Sequence, residues 1–138
     1  MKTAVQAGLV ALLAGATVLV APAQAATIVQ RTAVCHSGDF QGSFTLRYDI
    51  SGGYYHLIGG TTASGPYIGD SAGTVALRVS YRSGTTVRTV YTRSVPTTTG
   101  NTSFAMPSGT DVPIRSFGSA TTTFDNGAAS CVATVPLT

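Results

Sequence analysis

Along most of this chain, hydrophobic and polar residues alternate in short runs with a period of two. Val75, Leu77, Val79 and Tyr81 are interleaved with Ala76, Arg78, Ser80 and Arg82. Successive side chains of a strand point to opposite faces, so such a run builds one apolar and one polar face. β-Branched and aromatic runs of this kind predict strands at 27–34, 43–50, 54–58, 74–82, 86–93, 112–117, 120–124 and 129–135. Ser51-Gly52-Gly53 and Asp125-Asn126-Gly127 read as tight turns, because glycine and asparagine tolerate positive φ. Pro96 with the threonines after it, and Pro107-Ser108-Gly109, read as loops. No segment after residue 25 has helical periodicity. The expected fold is an antiparallel β-sandwich of seven or eight strands, immunoglobulin-like in outline, with a partly open β-barrel as the alternative.

The clearest hairpin is 74–93. Ser83-Gly84-Thr85 or Ser83-Gly84 turns the chain, and the three-residue loop sets Tyr81 opposite Val87, Val79 opposite Thr89 and Leu77 opposite Tyr91. That register gathers the apolar residues on one face and Arg78, Arg82 and Arg88 on the other, with Arg47 as a further neighbour.

Residues 5–20 break the pattern, being one apolar run rich in Ala, Val and Leu. Lys2 precedes it, Pro22 ends it, and Ala23-Gln24-Ala25 offers the small-x-small pattern of a signal peptidase site. The run is shorter than the roughly 20 residues a spanning helix needs, and no basic stop-transfer cluster follows. Residues 1–25 are therefore expected to be a signal peptide cleaved after Ala25. A single exported domain, 26–138, is left without stable membrane insertion. Export places Cys35 and Cys131, its only cysteines, where disulfides persist, and with one pair the connectivity is fixed.

Beyond Lys2, the cations are seven arginines and the anions five aspartates, with no glutamate at all. That balance is too even to imply nucleic-acid binding. Arginine without lysine, beside abundant Ala, Gly, Thr and Val, points to a bacterial genome of high GC content.

Candidate chemistry is sparse. Gly69-Asp70-Ser71-Ala72-Gly73 fits G-x-S-x-G and resembles the Gly-Asp-Ser-Gly-Gly nucleophile turn of chymotrypsin-like serine proteases, with Ala72 as a departure. His36 or His56 would be the base and Asp39 or Asp49 its orienting partner. A nucleophile elbow needs a helix after it, yet a β-patterned segment starts at Thr74, and a chymotrypsin-like enzyme needs two barrels. No catalytic residue is assigned. Two histidines and scattered aspartates have no metal-ligand spacing, and neither a metal nor a cofactor is expected.

What remains is a surface that binds. Arg78, Arg82 and Arg88 can contact carboxylates or anionic groups bidentately. Tyr54 and Tyr67 offer aromatic anchors, Tyr67 from the rigid stretch Gly65-Pro66-Tyr67. Ile28 and Val29 lie outside the disulfide loop, where a sheet-edge strand could pair with a partner. The expected function is a small secreted, non-enzymatic interaction module, binding another secreted or cell-surface protein or serving as a subunit of an extracellular assembly such as a toxin complex. The alternatives are binding to a surface glycan or anionic wall polymer, and inhibition of a secreted protease.

Overall fold

The computed structural model describes residues 27–68 and 72–138. The expected signal peptide and Ser71 lie outside the described residues. Among the described residues nine strands follow in chain order: β1 (Val29–Ser37), β2 (Phe40–Ser51), β3 (Tyr54–Gly65), β4 (Gly73–Ser83), β5 (Thr86–Thr97), β6 (Thr102–Ala105), β7 (Asp111–Pro113), β8 (Phe117–Asp125) and β9 (Ser130–Leu137). They form two antiparallel sheets. One has the order β1-β2-β3-β6, with β7 also pairing β3; the other has the order β5-β4-β8-β9. Among the described residues no strand pair joins the sheets, so they form a sandwich and do not close into a barrel. Its first three strands form a consecutive meander on one sheet. An immunoglobulin domain instead sets its fifth strand beside its second, so the outline differs from the expected one.

The core follows from the alternation. Phe44, Leu46 and Tyr48 of β2 share one buried core with Val75, Leu77 and Val79 of β4, Ala120 and Phe124 of β8, and Ala133, Val135 and Leu137 of β9. Outward positions are mostly threonine, serine and arginine, as expected for sheets with one solvated face. The β2–β3 turn is the two-residue Gly52-Gly53, both at positive φ (59° and 83°), which suits a tight hairpin.

Two differences from the sequence expectation have local causes. β6 lies in a stretch to which the sequence assigns neither strand nor loop, because its four residues are too few to show periodicity. β5 runs on through Pro96, which a strand tolerates at a sheet edge, where no ladder partner needs its missing N–H.

Cys35 of β1 and Cys131 of β9 are disulfide-bonded, with Cα atoms 5.7 Å apart. Each strand is the terminal one of its sheet, so the bond ties the two sheets together along one side. Packing there is tight. Gly42 pairs with Cys35, Phe124 pairs with Cys131, and a Cβ on Gly42 would lie 2.3 Å from the Phe124 ring.

Candidate functional site

The opposite side of the sandwich ends in the β4–β5 hairpin, where the sequence concentrates its positive charge. Between Gly73 and Thr97 stand Arg78, Arg82, Arg88 and Arg93, with no acidic residue. Among the described residues, no arginine forms an ion pair; the single salt bridge is His56 with Asp111.

The hairpin register departs from the sequence expectation. Ser83 pairs with Thr86, so the loop is the two-residue Gly84-Thr85, and Tyr81 faces Arg88 rather than Val87. The register then shifts between Val79 and Ser80, leaving Val90 as an extra residue in β5, so Val79 faces Tyr91 and Leu77 faces Arg93. The expected three-arginine face is therefore divided. Arg78 and Arg82 point outward. Arg88 and Arg93 lie on the core-facing side of β5, where nonetheless they are exposed. Arg47 belongs to the outer face of the other sheet, opposite Gln30 and Gly59.

On the outer face, Arg82 stands between Val87 of β5 and Phe117 of β8 in one cross-strand row. Its guanidinium carbon lies 5.5 Å from the centre of the Phe117 ring, within range of a cation–π contact. Val87 is 57% and Phe117 72% exposed. Arg78 donates to Thr89 Oγ1 from Nε and Nη2, at 3.2 and 3.0 Å.

The core-facing side of β5 overhangs the sandwich. β5 packs mainly against β4, and no strand of the other sheet covers it to a comparable extent. Tyr81, Val90, Tyr91 and Val95 lean on the rim of the core, half-buried, and Arg88 and Arg93 stand exposed among them.

The remaining expected binding residues lie apart from this hairpin. Tyr67 seals one end of the sandwich. Its ring meets Phe40 edge-on at 6.0 Å, and its hydroxyl pairs with Ser64 Oγ at 2.5 Å. Gly73 and Gly100 crowd the same ring so closely that a Cβ on either would collide with it. Tyr54 is exposed, opposite Pro113 and tilted against the His56 ring. Ile28 is exposed ahead of β1. Val29 enters β1 opposite Tyr48 and packs on the core, so the first strand is paired within its own domain.

A second feature escaped the sequence reading. Asp49, His56 and Asp111 form one outward row across β2, β3 and β7. His56 Nδ1 is 2.7 Å from Asp111 Oδ1, and Nε2 is 3.0 Å from the Ser51 carbonyl oxygen. Both ring nitrogens thus face acceptors, and only the imidazolium donates to both. The hydrogen bond that His56 donates to Asp111 accordingly raises the His56 pKa above its ordinary value, against a smaller opposing effect of desolvation. A cleft of about 590 Å³ beside this pair is lined by Leu57, Ile58, Met106, Ser108 and Gly109. With Nε2 engaged by a backbone carbonyl, His56 acts as a clasp holding β7 to the β2–β3 turn. Nothing in the sequence signals this clasp, because its partners lie 55 residues apart.

Compared with protein-family models, with curated proteins and with solved structures, the chain shows no significant match.

Proposed function

We propose that this protein is a secreted, non-enzymatic interaction module that binds another extracellular protein through its β4–β5 hairpin. The observation that carries this reading is the Val87–Arg82–Phe117 row. Arginine and aromatic side chains are enriched where binding energy concentrates, and an arginine stacked on an exposed aromatic ring presents both at once. The arginines of the hairpin would answer acidic groups on the partner. Export rests on the apolar leader with its Ala23-Gln24-Ala25 cleavage pattern, and the Cys35–Cys131 bond is compatible with it. The engagement of both His56 nitrogens argues against that residue as a general base.

The test is affinity capture from culture supernatant with the tagged mature protein. An Arg82→Glu/Phe117→Ser variant should fold normally and lose the partner. Equal recovery by both proteins would refute the reading.

A second reading, glycan binding, draws on the outer face of the other sheet. There Thr32, Thr45, Thr61 and Ser103 form a hydroxyl row across four strands, with Thr32 and Thr45 hydroxyls 2.8 Å apart. Co-sedimentation with insoluble wall polysaccharide, lost on Thr45→Val/Thr61→Val substitution, would favour it.

A further inference from the structure

The free edge of β5 has a defined usable length. Strand addition needs an unbroken run of backbone donors and acceptors. The extra residue Val90 interrupts the ladder on one side, and Pro96 lacks an N–H on the other. Between these two devices lie five residues, Tyr91, Thr92, Arg93, Ser94 and Val95, in the terminal strand of its sheet. On the overhanging core-facing side, the edge presents half-buried Tyr91, exposed Arg93 and half-buried Val95 in succession. That is an apolar–cationic–apolar series at two-residue spacing, with Arg93 in no ion pair among the described residues.

Resting on the reading that the β4–β5 hairpin is the binding surface, we infer that β5 takes an extended acidic segment of the partner protein as an added strand. The segment places a carboxylate beside Arg93 and apolar side chains two residues to either side, beside Tyr91 and Val95. Directly paired strands contact through such same-face neighbours, and opposite charges there are favourable. A second copy of this chain does not fit. Two hairpins side by side would crowd two sets of four arginines, with no acidic residue in either to offset them. Four of this chain's own aspartates do not fit either, because Asp39, Asp49, Asp111 and Asp125 are not flanked on both sides by apolar residues able to pair at two-residue spacing.

The experiment is an NMR titration of the ¹⁵N-labelled mature protein with an end-blocked peptide, Thr-Val-Thr-Asp-Thr-Val-Thr. Shift changes are expected across 91–95, with slowed hydrogen exchange at the amides of Thr92 and Ser94, which share the free edge with Pro96. Binding should weaken at least tenfold with Arg93→Glu, less with Arg93→Gln, and vanish when alternate peptide nitrogens are methylated. Arg93 is exposed, so unchanged thermal midpoints should verify that both variants fold. Equal binding of the methylated peptide, or of an anionic polysaccharide at the same amides, would overturn strand addition in favour of simple charge attraction. No response at 91–95, with partner capture still dependent on Arg82 and Phe117, would overturn this inference and leave the interaction reading standing. Capture that is indifferent to Arg82, Phe117 and Arg93 together would overturn both.

Discussion

The two sides of this sandwich have been finished by different means. On one side the terminal strands β1 and β9 are joined by Cys35–Cys131, and the space beside that bond is so full that Gly42 admits no Cβ. On the other side β5 has no covalent tie and overhangs the core. Its defences are chemical: an extra residue at Val90, a proline at 96, and the charges of Arg88 and Arg93. Such devices discourage indiscriminate edge pairing, and the charges also restrict which partners are tolerated. Stability is therefore concentrated at the stapled side and availability at the open one.

That contrast is sharpest in what each side does when altered. Reducing the disulfide, or Cys35→Ser/Cys131→Ser, should have the largest effect. The closed loop spans 96 positions, for which the chain-entropy view gives about 4–5 kcal/mol. Urea unfolding with and without reductant measures it, and hydrogen exchange should accelerate first at β1 and β9. Gly42→Ala comes next, at about 1–3 kcal/mol, because Phe124 must shift to admit the methyl group. A loss below the resolution of urea unfolding would show that the stapled side is looser than its geometry implies.

On the open side, Arg82→Glu/Phe117→Ser should change unfolding free energy by no more than about 0.5 kcal/mol, since exposed positions contribute little. Its consequence should appear in partner capture alone. A large loss of stability would break the comparison, making the hairpin part of the structural frame.

The smallest expected effect belongs to neither side. Because His56 has its pKa raised in the folded state, its clasp with Asp111 stabilises fully below the unfolded value near 6.5. That contribution is lost as pH rises through the folded pKa. The unfolding midpoint of the native protein should exceed that of His56→Gln around pH 5, and the gap should close around pH 9. A gap that widened with pH would mean that the neutral ring is the form the fold prefers.

How far the sequence could anticipate this depended on the range of each interaction. Val75, Leu77 and Val79 announce an inward face through local alternation, and Gly52-Gly53 announces its own turn. The cysteine pair had only one possible solution. The hairpin arginines were visible as residues, but their division between two faces was not. It rests on a two-residue loop and on one extra residue at Val90, and neither changes the apolar-polar pattern enough to be read. The local pattern ends a strand at Phe117, whereas Phe117 opens β8, and its exposure beside Arg82 depends on β8 lying next to β4. β6 was missed because its pairing with β3, which brings Ser103 beside Thr61, is entirely long-range.

The position of the disulfide also governs how the molecule carries load. Tension applied between Val29 and Leu137 reaches Cys35 and Cys131 through the outer parts of β1 and β9, residues 29–34 and 132–137, and then passes directly through the S–S bond. Everything between the two cysteines, the β4–β5 hairpin included, lies off the line of force. Those outer parts can peel away, each lengthening by at most about 3.3–3.6 Å per residue. A partner pulling on the ends of this chain would therefore draw out those outer segments and then meet a covalent stop, with no tension passing through β5.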